Sequence, residues 1–222
     1  MSEARSKRRG DSRLDGLLAW TARHPWGWLG GYLVVTAALY QTAIHLPWTT
    51  GIPIHPSTLD RQIPLLPWTA APYMTYFALM PSWVALVRRH PDGPRLMWAA
   101  GLCVLGNLLI NLSVPTYLVD PLTPAEAQSH GALLGLIVSN DRPYAAFPSG
   151  HLALPLALTW LQHRAGLRLG WLYLPWTLVM GVSILTTKQH YLADALGALV
   201  YGTLAPLLAL RLTSRRAAAH RG

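Results

Sequence analysis

A chain of 222 residues in which 52% are hydrophobic and only 12% are charged is a poor candidate for a water-soluble domain, because its charges cluster between long apolar runs instead of alternating with them. The single cysteine, Cys103, excludes a disulfide framework or a cysteine metal site. The net charge of +9 sits beside apolar stretches, where positive charge sets membrane orientation, and this placement argues against a nucleic-acid partner.

Residues 1–24 form a basic tail (Arg5, Lys7, Arg8, Arg9, Arg13), expected to be disordered or to lie on an anionic inner membrane surface. The apolar run after it is too long for a signal h-region and shows no small-residue cleavage site, which predicts a retained first span. Residues 25–212 then read as one domain of six apolar segments, approximately 26–46, 69–87, 96–114, 147–162, 169–186 and 191–210. Most approach the roughly 20 residues needed to cross a hydrocarbon core of about 30 Å. They also lack the polar face that a water-exposed helix requires. The fourth is short and carries Pro155, which a membrane helix tolerates when neighbours satisfy the freed carbonyl. The expected fold is an all-α integral membrane six-helix bundle, closed by a basic tail at 213–222.

With the N-terminus inside, the inner segments hold the tail arginines and Arg23, then Arg88, Arg89 and Arg95, then Arg164 and Arg168, then Arg211, Arg215, Arg216 and Arg221. The outer loops hold only Arg61, Arg142 and Lys188. This alternation predicts six crossings with both termini cytoplasmic. The first outer loop, 47–68, is rich in proline and bracketed by Trp48 and Trp68, so a re-entrant or surface-lying segment is expected there, a possible lid. The second, 115–146, carries Asp120, Glu126, Asp141 and Arg142 and has the length of a functional loop.

Two stretches carry the chemistry: Ala146-Phe147-Pro148-Ser149-Gly150-His151 and Lys188-Gln189-His190-Tyr191-Leu192-Ala193-Asp194. Each puts a histidine on the outer side at the N-terminal end of a helix, where unpaired N–H groups and a partial positive charge suit an anion. His190 and Asp194 are four apart, so a helix would place them on one face with the carboxylate on a ring nitrogen. Asp194 is the acidic residue within the six segments, and at about 2.5–3.5 kcal/mol of insertion cost it calls for a partner. Ser149 can cap its helix and donate to an oxyanion, while Gly150 permits close backbone approach. Arg142 and Lys188 are the nearest outer cations, which completes a candidate phosphate site. Asn107 and Asn111 share a face of the third helix and suit interhelical hydrogen bonding.

Pro148-Ser149-Gly150-His151, followed by His190 and Asp194, resembles the second and third signature motifs of the type 2 phosphatidic acid phosphatase superfamily, over about residues 26–211. The variant His190-Tyr191-Leu192-Ala193-Asp194, and Asp60-Arg61-Gln62-Ile63-Pro64 with Pro67-Trp68, are more similar to the branch of inositol phosphorylceramide synthases. Two departures stand out. Ser183 is followed by Ile184 where the family's third motif has an arginine, and the lysine-led first motif is absent, Arg142-Pro143 lying too close to Pro148 with Gly135 in the lysine's place.

The resemblance implies a metal-independent lipid phosphatase that needs no cofactor and acts on a lipid phosphate among membrane lipids. Its site would open on the outer face of a cell membrane, the bacterial inner membrane being the expected one. His190 would attack phosphorus, Asp194 would hold its tautomer, and His151 would protonate the leaving alkoxide and then activate water. An alcohol in place of water would give headgroup transfer. Ser149, Gly150, Arg142 and Lys188 would bind the phosphate. A reading from another class, a non-catalytic metal- or haem-binding membrane protein, would use His151, His190 and Asp194 as ligands; no further His or Cys sits at ligand spacing in the segments. The identity of the lipid and the oligomeric state stay open. The enzymatic reading requires the rings of His151 and His190 to lie within roughly 10 Å of each other.

Overall fold

The computed structural model describes residues 2–45, 51–167 and 172–213. The start of the first outer loop with Trp48, the head of the fifth segment with Arg168, and the C-terminal tail with Arg215, Arg216 and Arg221 lie outside the described residues. Helices occupy each of the six apolar segments. α2 (Pro25–His45) fills the first, and α4 (Ala70–Met74) and α5 (Leu79–Val87) share the second. α6 (Gly93–Ser113), α9 (Gly150–Arg164), α10 (Tyr173–Thr186) and α11 (Leu192–Leu212) fill the rest. Shorter helices α3 (Thr58–Gln62), α7 (Pro124–His130) and α8 (Ala132–Asn140) build the two outer loops.

The N-terminal tail differs from expectation. It forms a helix, α1 (Ser2–Arg23), which departs from the disordered alternative and leaves the surface-lying one untouched. Its last turns explain the difference: Leu18 is buried at 4% exposure and Thr21 is fully buried, and the indole N–H of Trp98 on α6 donates to the Thr21 hydroxyl at 2.9 Å. Leu18 and Thr21 are three residues apart, so one helical face docks on the bundle.

The second segment is also not a continuous α-helix. 3-10 turns at Pro67–Thr69 and Thr75–Ala78 alternate with α4 and α5, as expected where Pro67, Pro72 and Pro81 each remove a backbone donor. Even so, the stretch Pro67–Val87 is one of three among the described residues long and apolar enough to cross a bilayer, with α6 and α11; α10 is a shorter apolar helix. Leucines and valines face outward along the bundle, among them Val34, Leu178, Val182, Leu196, Val200, Leu204 and Leu208. Such a belt is at home in hydrocarbon, not in water. The molecule is thus an all-α membrane protein.

α9 is the hub, packed against α11, α10 and α6. Leu154, Ala157, Leu158 and Leu161 of α9 join Leu79, Trp83, Val84, Met97 and Ala100 in the larger core cluster. Trp83 is fully buried there with its N–H donating to the carbonyl of Leu96 at 3.2 Å, so no polar atom of the indole is stranded. α9 and α11 approach so closely that a Cβ on Gly202 would stand 2.8 Å from the carbonyl oxygen of Ala153. Because that obstacle is backbone, it cannot swing aside. Gly202→Ala is therefore expected to lower stability by about 1–3 kcal/mol through overpacking, read as a reduced unfolding temperature of the detergent-purified protein against wild type.

The outer loops are joined by a two-stranded parallel sheet, β1 (Ile52–Ile54) with β2 (Thr116–Leu118), in the register Ile52 to Thr116, Pro53 to Tyr117 and Ile54 to Leu118. The first loop thus lies across the second as a layer, through a strand that its prolines did not predict. The layer continues toward α9: the Ala145 N–H donates to the Thr116 carbonyl at 3.0 Å, and the Phe147 N–H to the Thr116 hydroxyl at 3.0 Å.

Candidate active site

One end of the bundle gathers the C-terminal ends of α2, α6 and α10 and the N-terminal ends of α4, α9 and α11. Each signature stretch enters there under separate control. The Thr116 bonds just described hold the approach to α9. The Asn107 amide on α6 donates to the Pro148 carbonyl at 3.0 Å, and its carbonyl oxygen would lie 3.0 Å from a Cβ at Gly150. Gly150 therefore leaves room for Asn107 beside the motif.

At the start of α9 the expected side-chain cap is missing. Ser149 occupies its N-cap position, but the hydroxyl makes no capping bond; it is fully buried and has no hydrogen-bond partner. The first-turn amides of a helix have no intrahelical acceptor. A buried, unpartnered hydroxyl beside them costs about 1–3 kcal/mol unless something accepts its bond. Capping, expected from the sequence, is not what Ser149 does.

The start of α11 is different, and here the expectation fails. The Leu192 N–H is taken by Asp60 Oδ1 at 2.7 Å, and the Tyr191 N–H by Asp194 Oδ2 at 2.8 Å. The protein's own carboxylates fill this helix end. Asp60 is 5% exposed and also receives the Ser57 backbone N–H at 2.8 Å and hydroxyl at 2.6 Å. It fastens the first outer loop to α11.

His190 does not lie on the helix. α11 begins at Leu192, and His190 sits in the bend before it, so the shared helical face argued from spacing is not formed. The turn nevertheless brings its Nδ1 to 3.4 Å from Asp194 Oδ2, with side-chain exposures of 8% and 0%. The approach is at ion-pair distance, and Nδ1 makes no hydrogen bond.

The rings of His151 and His190 have centroids 5.8 Å apart. His151 also stacks with Tyr73 at 4.5 Å and meets Tyr76 at 4.4 Å. The Tyr73 hydroxyl stands 3.4 Å from His151 Nδ1 and donates to Asp141 Oδ2 at 3.0 Å, while the Tyr40 hydroxyl donates to Asp141 Oδ1. Burial pushes the Asp141 carboxyl up from its ordinary value; the hydrogen bond from Tyr40, the charge of His190 and the bond from Tyr73 pull the other way. Tyr40, Tyr73, Tyr76 and the role of Asp141 were not legible in the motifs, since an aromatic in an apolar segment reads as packing.

The two cations assigned to phosphate have different surroundings. Lys188 donates from its ammonium to the carbonyls of Asp60, at 2.9 Å, and Ile63, engaging two of its three hydrogens. Its pKa is lowered by burial, against a raising influence from Asp60. Arg142 is exposed, next to Asp141. Among the described residues no three His, Cys, Asp or Glu side chains stand together at metal-binding spacing.

The apolar helical bundle thus brings two imidazoles and a carboxylate together at one end of a membrane protein. The comparison with protein families places it further. The model of the PAP2 superfamily, the type 2 phosphatidic acid phosphatases, matches residues 17–208, and the chain belongs to that superfamily. Membership supports chemistry of the phosphatase or phosphotransferase type. No curated protein and no solved structure matches the chain.

Asp60→Ala removes the acceptor for the Leu192 amide and both Ser57 donors. The expected result is a loss of about 1–2 kcal/mol, the usual worth of a helix cap, with faster proteolysis of the 51–66 loop in a limited-digestion assay.

Proposed function

We propose that the protein transfers phosphoryl groups from a lipid phosphate through a phosphohistidine on His190. The observation that carries this reading is the 5.8 Å separation of the two imidazoles above a helix start whose Ser149 hydroxyl is buried without a partner. A phosphate seated on the first-turn amides of α9 would satisfy that hydroxyl and lie between the rings. His190 is the nucleophile, backed by Asp194, which stabilises the cation formed when phosphorus bonds to the ring. His151, partly exposed and facing His190, gives its proton to the leaving alkoxide. It then takes one from the incoming water, which releases phosphate and restores the enzyme. An alcohol on the same path yields a transferred headgroup, so hydrolysis and transfer differ only in the acceptor. Two easier steps replace one whose uncatalysed rate is among the slowest known.

Anion binding in this reading comes from backbone amides and a hydroxyl, with Gly150 allowing the approach and Arg142 at the rim. Lys188 contributes through the loop that it holds. The same reading puts six segments across the membrane with both termini cytoplasmic and the site on the extracytoplasmic side, in the bacterial inner membrane, on the strength of the arginine distribution.

Purified protein in detergent is expected to release phosphate from phosphatidate or an isoprenyl pyrophosphate, with vanadate as inhibitor. His190→Ala should abolish turnover, and Asp194→Asn should cut kcat by at least about a hundredfold. Retained activity in His190→Ala would remove it as nucleophile. Thin-layer separation of products with and without an added lipid alcohol distinguishes hydrolysis from transfer.

The orientation has its own check. Cys103 is buried, so a cysteine introduced by His130→Cys should be labelled by a membrane-impermeant maleimide in intact cells. One introduced by Arg89→Cys should be labelled only after lysis. The reverse pattern would turn the molecule over.

A further inference from the structure

Asp141 ends α8 and accepts a tyrosine hydroxyl on each oxygen, Tyr40 from α2 on Oδ1 and Tyr73 from α4 on Oδ2 at 3.0 Å. A phenol has one proton to give. Since Tyr73 gives its proton to Asp141, only its lone pair remains for His151 Nδ1, 3.4 Å away. That approach is attractive only if Nδ1 carries the hydrogen. The Tyr73 ring, 2% exposed, stacks on the imidazole at an interplanar angle of 29° and so holds the ring plane as well as its proton.

We propose that Tyr73 and Asp141 are positioning residues for His151: the carboxylate, acting through the tyrosine hydroxyl, keeps the proton on Nδ1 and leaves Nε2 as the nitrogen that trades protons with the substrate. The proposal rests on the reading of His151 as the acid and base of phosphoryl transfer. It also gives the site a division of labour. His190 meets its carboxylate directly across a turn, whereas His151 meets one at second hand, through a hydroxyl presented by a different helix.

The arrangement has a consequence with a definite sign. Around His151 the titratable groups are Tyr73 and Tyr76 from the broken helix, His190 with Asp194 beside it, and Asp141 with Tyr40 behind Tyr73. A negative Asp141 favours the imidazolium form of His151. Removing that charge lowers the ring's proton affinity, so the alkaline limb of the rate profile, where the acid is lost, moves to lower pH.

The test uses the full-length protein in detergent micelles and has two arms. In the first, nitrogen NMR of protein carrying labelled histidine reads the tautomer of His151 without any substrate. Wild type is expected to show the proton on Nδ1, and Tyr73→Phe, which keeps the ring and loses the hydroxyl, to shift it to Nε2. The same tautomer in both proteins would overturn the proposal.

In the second arm, phosphatidate turnover by Tyr73→Phe and by the isosteric Asp141→Asn is expected to show kcat reduced about tenfold or more with KM little changed. For Asp141→Asn the alkaline limb should lie about one pH unit lower, and Asp141→Glu should recover part of the loss. A purely structural tie between α2, α4 and α8 would lower the unfolding temperature of these variants while tautomer and pH profile stayed as in wild type, and that result would also overturn the proposal. Wild-type protein inert toward phosphatidate and isoprenyl pyrophosphate would count against the phosphoryl-transfer reading, while the tautomer measurement would still decide the positioning.

Discussion

The site depends on the close approach of α9 and α11. Their starting points are tied by main chain, the Ser149 N–H donating to the Asp194 carbonyl at 3.3 Å. Further along, Gly202 lets α11 lie on the backbone of α9 at Ala153. Two helices joined at the first turn and in close backbone contact further along carry their N-terminal residues at one level. In hydrocarbon, where burial of apolar surface does little to pull helices together, contact between small residues is the available force. The position of His151 beside His190 follows from that contact, because each ring hangs from the end of a helix the other helix locates.

Around this pair the outer loops act as a fastening layer. Asp60 caps α11 from the first loop, Lys188 binds that loop's carbonyls from the opposite side, and the β1–β2 pair connects it to the segment leading into Ser149. Charged side chains that could have met a ligand instead close polar contacts within the protein. Positive φ angles occur at Ala145, 58°, just before the first histidine stretch, and at Lys188, 59°, the first residue of the second; both are conformations that L-residues adopt at a cost. At the start of α9 the Ser149 hydroxyl is left buried without a hydrogen-bond partner.

The two imidazoles sit in different surroundings, the condition under which two like groups take different acid–base roles. His190 is buried at 7% exposure against a carboxylate. His151 is partly open and enclosed by Tyr73 and Tyr76. Stacking on Tyr73 and the tilted contact with Tyr76 restrict the rotation of the His151 ring.

How much of this could be read along the chain follows from range. The apolar segments, the bundle class and the two histidine stretches are local patterns of composition and spacing, and helices stand where those patterns lie. The pairing of His190 with Asp194 was legible in the four-residue interval, although for the wrong reason: the interval suggested a helical face, and a bend before α11 closes it instead. Nothing local marked Tyr73, 78 positions from His151, or Tyr40, 101 positions from Asp141. Nor did anything local show that Asp60 would cap a helix 132 residues away and thereby close one of two expected anion seats. A hydrogen bond is satisfied by whichever donor the fold delivers, and delivery across such separations is decided by helix packing, which no window of sequence contains.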